Sequence, residues 1–286
     1  SDGRVRLSLR RDSGGDQALS ADDVTSVLAE RGGAWVGYAR GGLDWLGGDG
    51  STLRIPTGIG SHALPPNPVQ ALLRDSDANL WIGQLDAGLF SLCDGCADLR
   101  PWPADLAGKT GPIGNGIYAM LQSRDGRLWF AVRSGGLSWF DRKSGEWDAL
   151  TTASPGALAL PHGSVTALLE DAAGSLWIGT QGGGLSRVER DATGRPVALK
   201  TWAEAQGLAS AMIGSILDAG DGQLWISTIR GLCRFAIEAE QFTCLGNRDP
   251  ALAGDFFVNS AARDVAGGLH FGGSQGLVSI ADPGKV

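Results

Sequence analysis

Three arginines each follow an aromatic anchor by a few residues in alternate copies of a recurring phrase. Arg40 follows Trp35, Arg133 follows Trp129 and Arg230 follows Trp225. The intervening copies put glutamine in the same place, with Gln84 after Trp81, Gln181 after Trp177 and Gln275 after His270. Guanidinium groups take carboxylates and other anions through a planar fork of donors. Three of them around one mouth would therefore favour an acidic ligand. Glutamine, with Asp86 close behind Gln84, suits hydroxyl recognition. Tyr38 joins this set from the first copy. A second series of positions adds His62, Asn67, Asn115, Tyr118, His162, Phe256 and Phe257, and aromatic rings beside polar groups suit sugar faces. Of the three histidines, none shares a loop with a glutamate, so the set reads as a binding surface without a catalytic acid–base pair.

These positions vary while the frame around them repeats. The anchors Trp35, Trp81, Trp129, Trp177, Trp225 and His270 are 46, 48, 48, 48 and 45 residues apart. Leu43, Leu89, Leu137, Leu185, Leu232 and Leu277 form a second register, each preceded by glycine. Ser26, Ala71, Ala119, Ala167, Ser215 and Ser260 form a third. In one copy, "VTALLE", "LWIGT", "LSRVER" and "VALKTW" are short apolar or alternating runs separated by Gly, Asp and Pro, the pattern of strands and hairpin turns. Four strands per repeat of this length predict a β-propeller blade, A-B-C-D from the axis outward. Serine or alanine in strand A suits crowding near the axis, the tryptophan of strand B fills the space between blades, and glycine permits positive φ in the B–C turn. The variable positions then fall in the B–C and D–A loops around the channel mouth.

The expected architecture is a single all-β propeller domain over residues 1–286. Its six four-stranded blades run approximately over 23–67, 68–115, 116–163, 164–211, 212–256 and 257–286, with strand 3–10 added to the last. That final unit stops after "LVSI" without a strand D, and "GRVRLSLR" (Gly3–Arg10) alternates like the missing one. Seven blades would follow if the chain were cut from a longer array. A formal charge of −7 excludes the basic footprint that nucleic acid demands. No apolar run approaches the length of a membrane span. Cys93 and Cys96 flank a turn at Asp94-Gly95, and Cys233 and Cys244 fall on strands C and D of one blade. Each pair is expected to form a local disulfide, which points to an oxidising compartment. Asp75-x-Asp77-x-Asn79 has the opening spacing of a calcium loop but lacks its glycine and distal glutamate. No metal or cofactor is expected.

The pattern V-x-A-L-L-x-D-x-x-G-x-L-W-I-G-T-x-x-G-G-L-x-R closely resembles the two-component regulator propeller repeat. Val165 to Arg187 carries it almost whole, and the copies around Trp81, Trp129 and Trp225 match well. Those around Trp35 and His270 are degenerate. The resemblance implies a non-enzymatic periplasmic sensor region of a membrane-bound bacterial regulator, binding a small molecule or oligosaccharide. It also implies membrane-anchored output domains, a histidine kinase or a diguanylate cyclase, outside these residues, and it allows a homodimer. Two other readings stand beside it: a protein–protein interaction scaffold, and an enzyme similar to streptogramin lyases, which share a D-G-x-L-W phrase.

Overall fold

A computed structural model describes residues 9–11, 18–245 and 255–284. The fold is an all-β propeller of six blades. The only helical turns among the described residues are 3-10 turns at Gly156–Leu158 and Glu204–Gln206. The strands belong to two compact units, Ser1–Trp102 and Pro103–Val286.

The first unit holds two antiparallel four-stranded sheets. β1 (Val24–Glu30), β2 (Gly33–Tyr38), β3 (Leu43–Gly47) and β4 (Thr52–Ile55) pair in chain order, as do β5 (Val69–Arg74), β6 (Leu80–Gln84), β7 (Gly88–Leu92) and β8 (Arg100–Trp102). Trp35 packs with Leu43 of its own sheet and with Leu80, Ile82 and Leu92 of the next. The Ser26 and Thr25 hydroxyls both donate to the Val69 carbonyl, at 2.7 and 2.8 Å. Gly37 is required there, because a Cβ would lie 2.6 Å from Val69 Cγ1.

The second unit holds the other four sheets. β9 (Ile117–Gln122), β10 (Leu128–Val132), β11 (Gly136–Asp141) and β12 (Glu146–Leu150) form its first. β13 (Val165–Glu170), β14 (Leu176–Thr180), β15 (Leu185–Arg190) and β16 (Pro196–Trp202) form the second. β17 (Ile213–Gly220), β18 (Gln223–Thr228), β19 (Gly231–Ala236) and β20 (Gln241–Leu245) form the third. β21 (Phe256–Arg263), β22 (Leu269–Gly273) and β23 (Gly276–Ile280) form a sheet of three strands among the described residues. The strand expected at Gly3–Arg10 lies, but for its last two residues, outside the described residues.

Strand B reads as an unbroken apolar run because both of its faces are buried. Alternation sends Leu176 and Ile178 back against Trp129 and Leu137, and sends Trp177 forward against Leu208, Ile213 and Phe235. Trp225 likewise packs against Leu269 and Phe271. Trp129, Trp177 and Trp225 are wholly buried, and replacing such a residue with alanine costs about 3–5 kcal/mol. The glycine before each strand C has positive φ, 98° at Gly136 and 78° at Gly184, where other residues are strained.

Candidate functional site

In an antiparallel blade the B–C and D–A loops lie at one end and the A–B and C–D turns at the other. In the second unit, the first of these ends is organised around Ser164, a buried residue that its sequence position does not mark out. Its hydroxyl accepts the Ser134 N–H at 2.9 Å, its carbonyl accepts the Gln181 N–H at 3.0 Å, and its own N–H donates to His162 Nδ1 at 3.1 Å. The loops carrying Arg133, His162 and Gln181 are thereby tied together. His162 lies over Gly182, where a Cβ would come 3.0 Å from the ring. Arg133 is half-buried against Gly116, whose carbonyl accepts its N–H at 2.7 Å. Tyr118 is partly buried against the core behind Trp129. Farther along, the Thr228 hydroxyl accepts the Arg230 N–H at 3.0 Å. That bond shapes the turn and leaves the Arg230 side chain exposed, with no ion pair among the described residues. Phe257 and Gln275 are also exposed.

Two of the expected residues in the first unit are interior side chains. Tyr38 is 1% exposed. Its hydroxyl donates to Asp44 Oδ2, and Ser20 binds both Asp44 oxygens at 2.8 and 2.7 Å. Burial, and then the bond to Asp44, push the Tyr38 phenol well above its ordinary pKa. Gln84 is fully buried, and its amide donates to the Pro65 and Asn67 carbonyls at 2.9 and 2.6 Å. Both are the last residue of a strand B, whose pairing and burial extend one residue beyond the apolar run in the sequence. Arg40 is exposed, 3.8 Å from Asp23, and Asp86 is exposed at φ 65°. His62 pairs with Asp98 at 3.2 Å.

The opposite end of the second unit carries a network that the repeat alone does not reveal. Arg127, with a side chain only 9% exposed, bridges Asp125 at 2.7 Å and Asp141 at 2.9 Å. Arg190 joins Asp125 at 3.8 Å and Glu170 at 3.1 Å. Burial alone would raise the Asp125 and Asp141 carboxyls. Hydrogen bonds to Asp125 from Ser123 and the Arg127 N–H, and to Asp141 from the Lys143 and Ser144 N–H groups, together with the neighbouring guanidinium charge, hold both below the usual range. Two clefts flank this network. One, of about 760 Å³, opens beside Arg124, Asp125, Glu170 and Arg190. The other, of about 390 Å³, is lined by Arg127, Trp139 and Trp147 among others.

The anchors also have polar partners, six residues upstream in the A–B turn. Trp81 Nε1 donates to Asp75, Trp177 Nε1 to Asp171 and Trp129 Nε1 to Ser123, at 2.8, 2.8 and 2.9 Å. In the degenerate copy His270 keeps the bond, Nε2 to Asp264 at 2.9 Å, while Nδ1 meets the Ser279 hydroxyl at 2.8 Å. His270 is accordingly half-buried and not interior. Trp35 and Trp225 have alanine in that upstream place, at Ala29 and Ala219, and their buried Nε1 groups have no partner among the described residues. Asp75 therefore belongs to the turn: besides Trp81 it accepts the Asp77 and Asn79 N–H groups, both at 2.9 Å. The structure joins Cys93 to Cys96 and Cys233 to Cys244. The second pair lies directly opposite across β19 and β20.

The family model for the two-component regulator propeller matches residues 111–134 and 159–182, so the chain carries repeats of that type. No curated protein sequence matches it. One similar solved structure is the extracellular domain of a hybrid two-component system from B. thetaiotaomicron, at 19% identity and a TM-score of 0.77, covering 93% of this chain and 34% of that one. Another is PorZ, described as a bacterial surface component of the type-IX secretion system of Porphyromonas gingivalis. It is 17% identical with a TM-score of 0.67, and the match covers 91% of this chain and 38% of that one. A computationally designed protein, Ika8, matches at 14% identity and a TM-score of 0.55, over 89% of this chain and 69% of the other. At these identities the likeness is one of fold. The chain spans about a third of the length of the first two.

Proposed function

We propose that this propeller is a non-enzymatic ligand-sensing module of a bacterial signal-transduction regulator, held outside the cytoplasm. It recognises a small acidic molecule or acidic oligosaccharide at the B–C and D–A ends of its blades. The observation that carries this reading is the two-component regulator repeat itself. The geometry supports it: Ser164 ties together the loops bearing Arg133, His162 and Gln181 through its hydroxyl, its carbonyl and its N–H, and Arg230 projects from a turn held by Thr228. Arg230, whose turn is held through its own N–H, keeps its exposed side chain for a ligand. Output domains, a histidine kinase or a diguanylate cyclase, would belong to a longer protein. The two disulfides support an oxidising location.

A thermal-shift panel of acidic and neutral oligosaccharides tests the reading. An acidic member should raise the melting temperature in a concentration-dependent way. If no small molecule does so while a protein partner captures the same surface, the module is an interaction scaffold. Turnover of any panel member would make it an enzyme.

A further inference from the structure

The two disulfides lie in different surroundings. Cys233 is 0% exposed in the core cluster that holds Trp177, Ile213 and Phe235, and Cys244 packs against the same cluster. Cys93 and Cys96 are both exposed, as are Asp94 and Gly95 between them, and a Cβ on Gly95 would have no neighbour within 4 Å. The exposed pair spans a sequence separation of 3 and the core pair one of 11. The shorter loop restrains the unfolded chain less, so its cross-link adds less to stability. Other bonds hold the hairpin. The Cys93 carbonyl accepts the Cys96 N–H at 3.1 Å, and Gly95 supplies the positive φ of the turn, 71°. Beyond the turn, the Ser61 carbonyl accepts the Leu99 N–H at 2.7 Å, and Leu99 is buried.

A disulfide exchanges when a thiolate reaches one of its sulfurs, and exposed disulfides are the labile ones. Reduction of this pair leaves two thiols that the turn keeps close, so the reverse step needs no rearrangement of the chain. We propose that Cys93–Cys96 is a reversible thiol–disulfide exchange site whose co-reactant is a dithiol protein. A thiolate of that protein attacks the sulfur of Cys93 or Cys96. A bond to the attacking sulfur forms, the Cys93–Cys96 bond breaks, and the displaced sulfur leaves as a thiolate that takes a proton from water. The second thiol of the co-reactant, once deprotonated, attacks its own first sulfur and releases the other cysteine. Two electrons pass to the pair, and the co-reactant becomes a disulfide. Cys233–Cys244 stays oxidised, because attack at Cys244 would displace a Cys233 thiolate inside the core, where charge is disfavoured.

The test treats the folded chain with an excess of reduced glutathione, alkylates the thiols released and maps them by mass. Cys93 and Cys96 should be labelled at least about tenfold faster than Cys233 and Cys244, with the melting curve showing a folded chain throughout. Oxidised glutathione should then close the pair again. A thioredoxin that retains only its attacking cysteine cannot resolve the mixed disulfide, and it should be trapped on the parent at Cys93 or Cys96. The double variant Cys93→Ser with Cys96→Ser should stay folded and trap none. If all four cysteines are labelled together, if Cys93 and Cys96 are labelled only as the chain unfolds, if neither pair is reduced, or if the trapped adduct is absent or maps to Cys233 or Cys244, the assignment is overturned.

Discussion

The two ends of the blades in the second unit both carry arginine, and they use it in opposite ways. At the A–B and C–D end, Arg127 is nearly buried between Asp125 and Asp141, and Arg190 between Asp125 and Glu170. At the B–C and D–A end, Arg230 is exposed on a turn that Thr228 holds through the main chain. An ion pair removed from water depends on keeping both of its partners, whereas an exposed guanidinium contributes little to the fold. The difference separates arginine that builds the blade from arginine open to a ligand. Residue type alone does not make that separation.

The contrast is broken most sharply at Arg127. Arg127→Met should cost about 3–5 kcal/mol, because Asp141 loses its guanidinium partner and Asp125 keeps only the more distant Arg190. A denaturant melt showing a loss under about 1 kcal/mol would mean that the network is ornamental. Next comes the anchor's partner. Asp171→Ala strips acceptors from Trp177 Nε1 and the Ser175 N–H and should cost about 1–3 kcal/mol. The converse change, Ala219→Ser, gives the orphaned Trp225 Nε1 the partner that Ser123 gives Trp129, and should add about 1 kcal/mol. A loss of stability in that variant would show that the upstream position has no room for the bond.

Acid should act on the same end. The Asp125 and Asp141 carboxyls sit below their ordinary range in the folded state. The unfolded chain therefore binds protons first as the pH falls. Their stabilising contribution is complete above the unfolded value of about 4 and is lost as the pH drops through the folded values. Melting temperature measured from neutral pH downward should begin to fall near pH 4, and Asp125→Asn with Asp141→Asn should flatten that fall. An unchanged slope in the double variant would assign acid sensitivity to other carboxylates.

The blade is legible in the sequence because packing recurs. Trp, Leu and Ser or Ala at fixed spacing each answer a steric demand that every blade repeats. The upstream acceptor is visible in principle, as the aspartate six residues before Trp81 and Trp177, but it reads as an ordinary turn residue until the indole bond is seen. Tyr38 and Gln84 read as loop residues and are interior, because a loop begins where burial ends and not where the apolar run ends. The Arg127 network escapes a sequence reading because its members, Asp125 and Asp141 from its own blade and Arg190 from the next, recur at no fixed spacing in the chain. Ser164 is a small residue next to a glycine, and only hydrogen-bond partners reveal its role.

The smallest effect on the fold is expected where the effect on function should be largest. Arg230→Ala, at an exposed side chain, should change stability by no more than about 0.5 kcal/mol, and adding Arg133→Ala, at a half-buried one, should leave the fold intact. The most direct measurement is the thermal shift given by acidic oligosaccharides to the parent and to this double variant. The account predicts a shift in the parent that the variant loses, with weakening of about tenfold for each charged hydrogen bond removed. An equal shift in both proteins would contradict the claim that the B–C and D–A end recognises an acidic ligand.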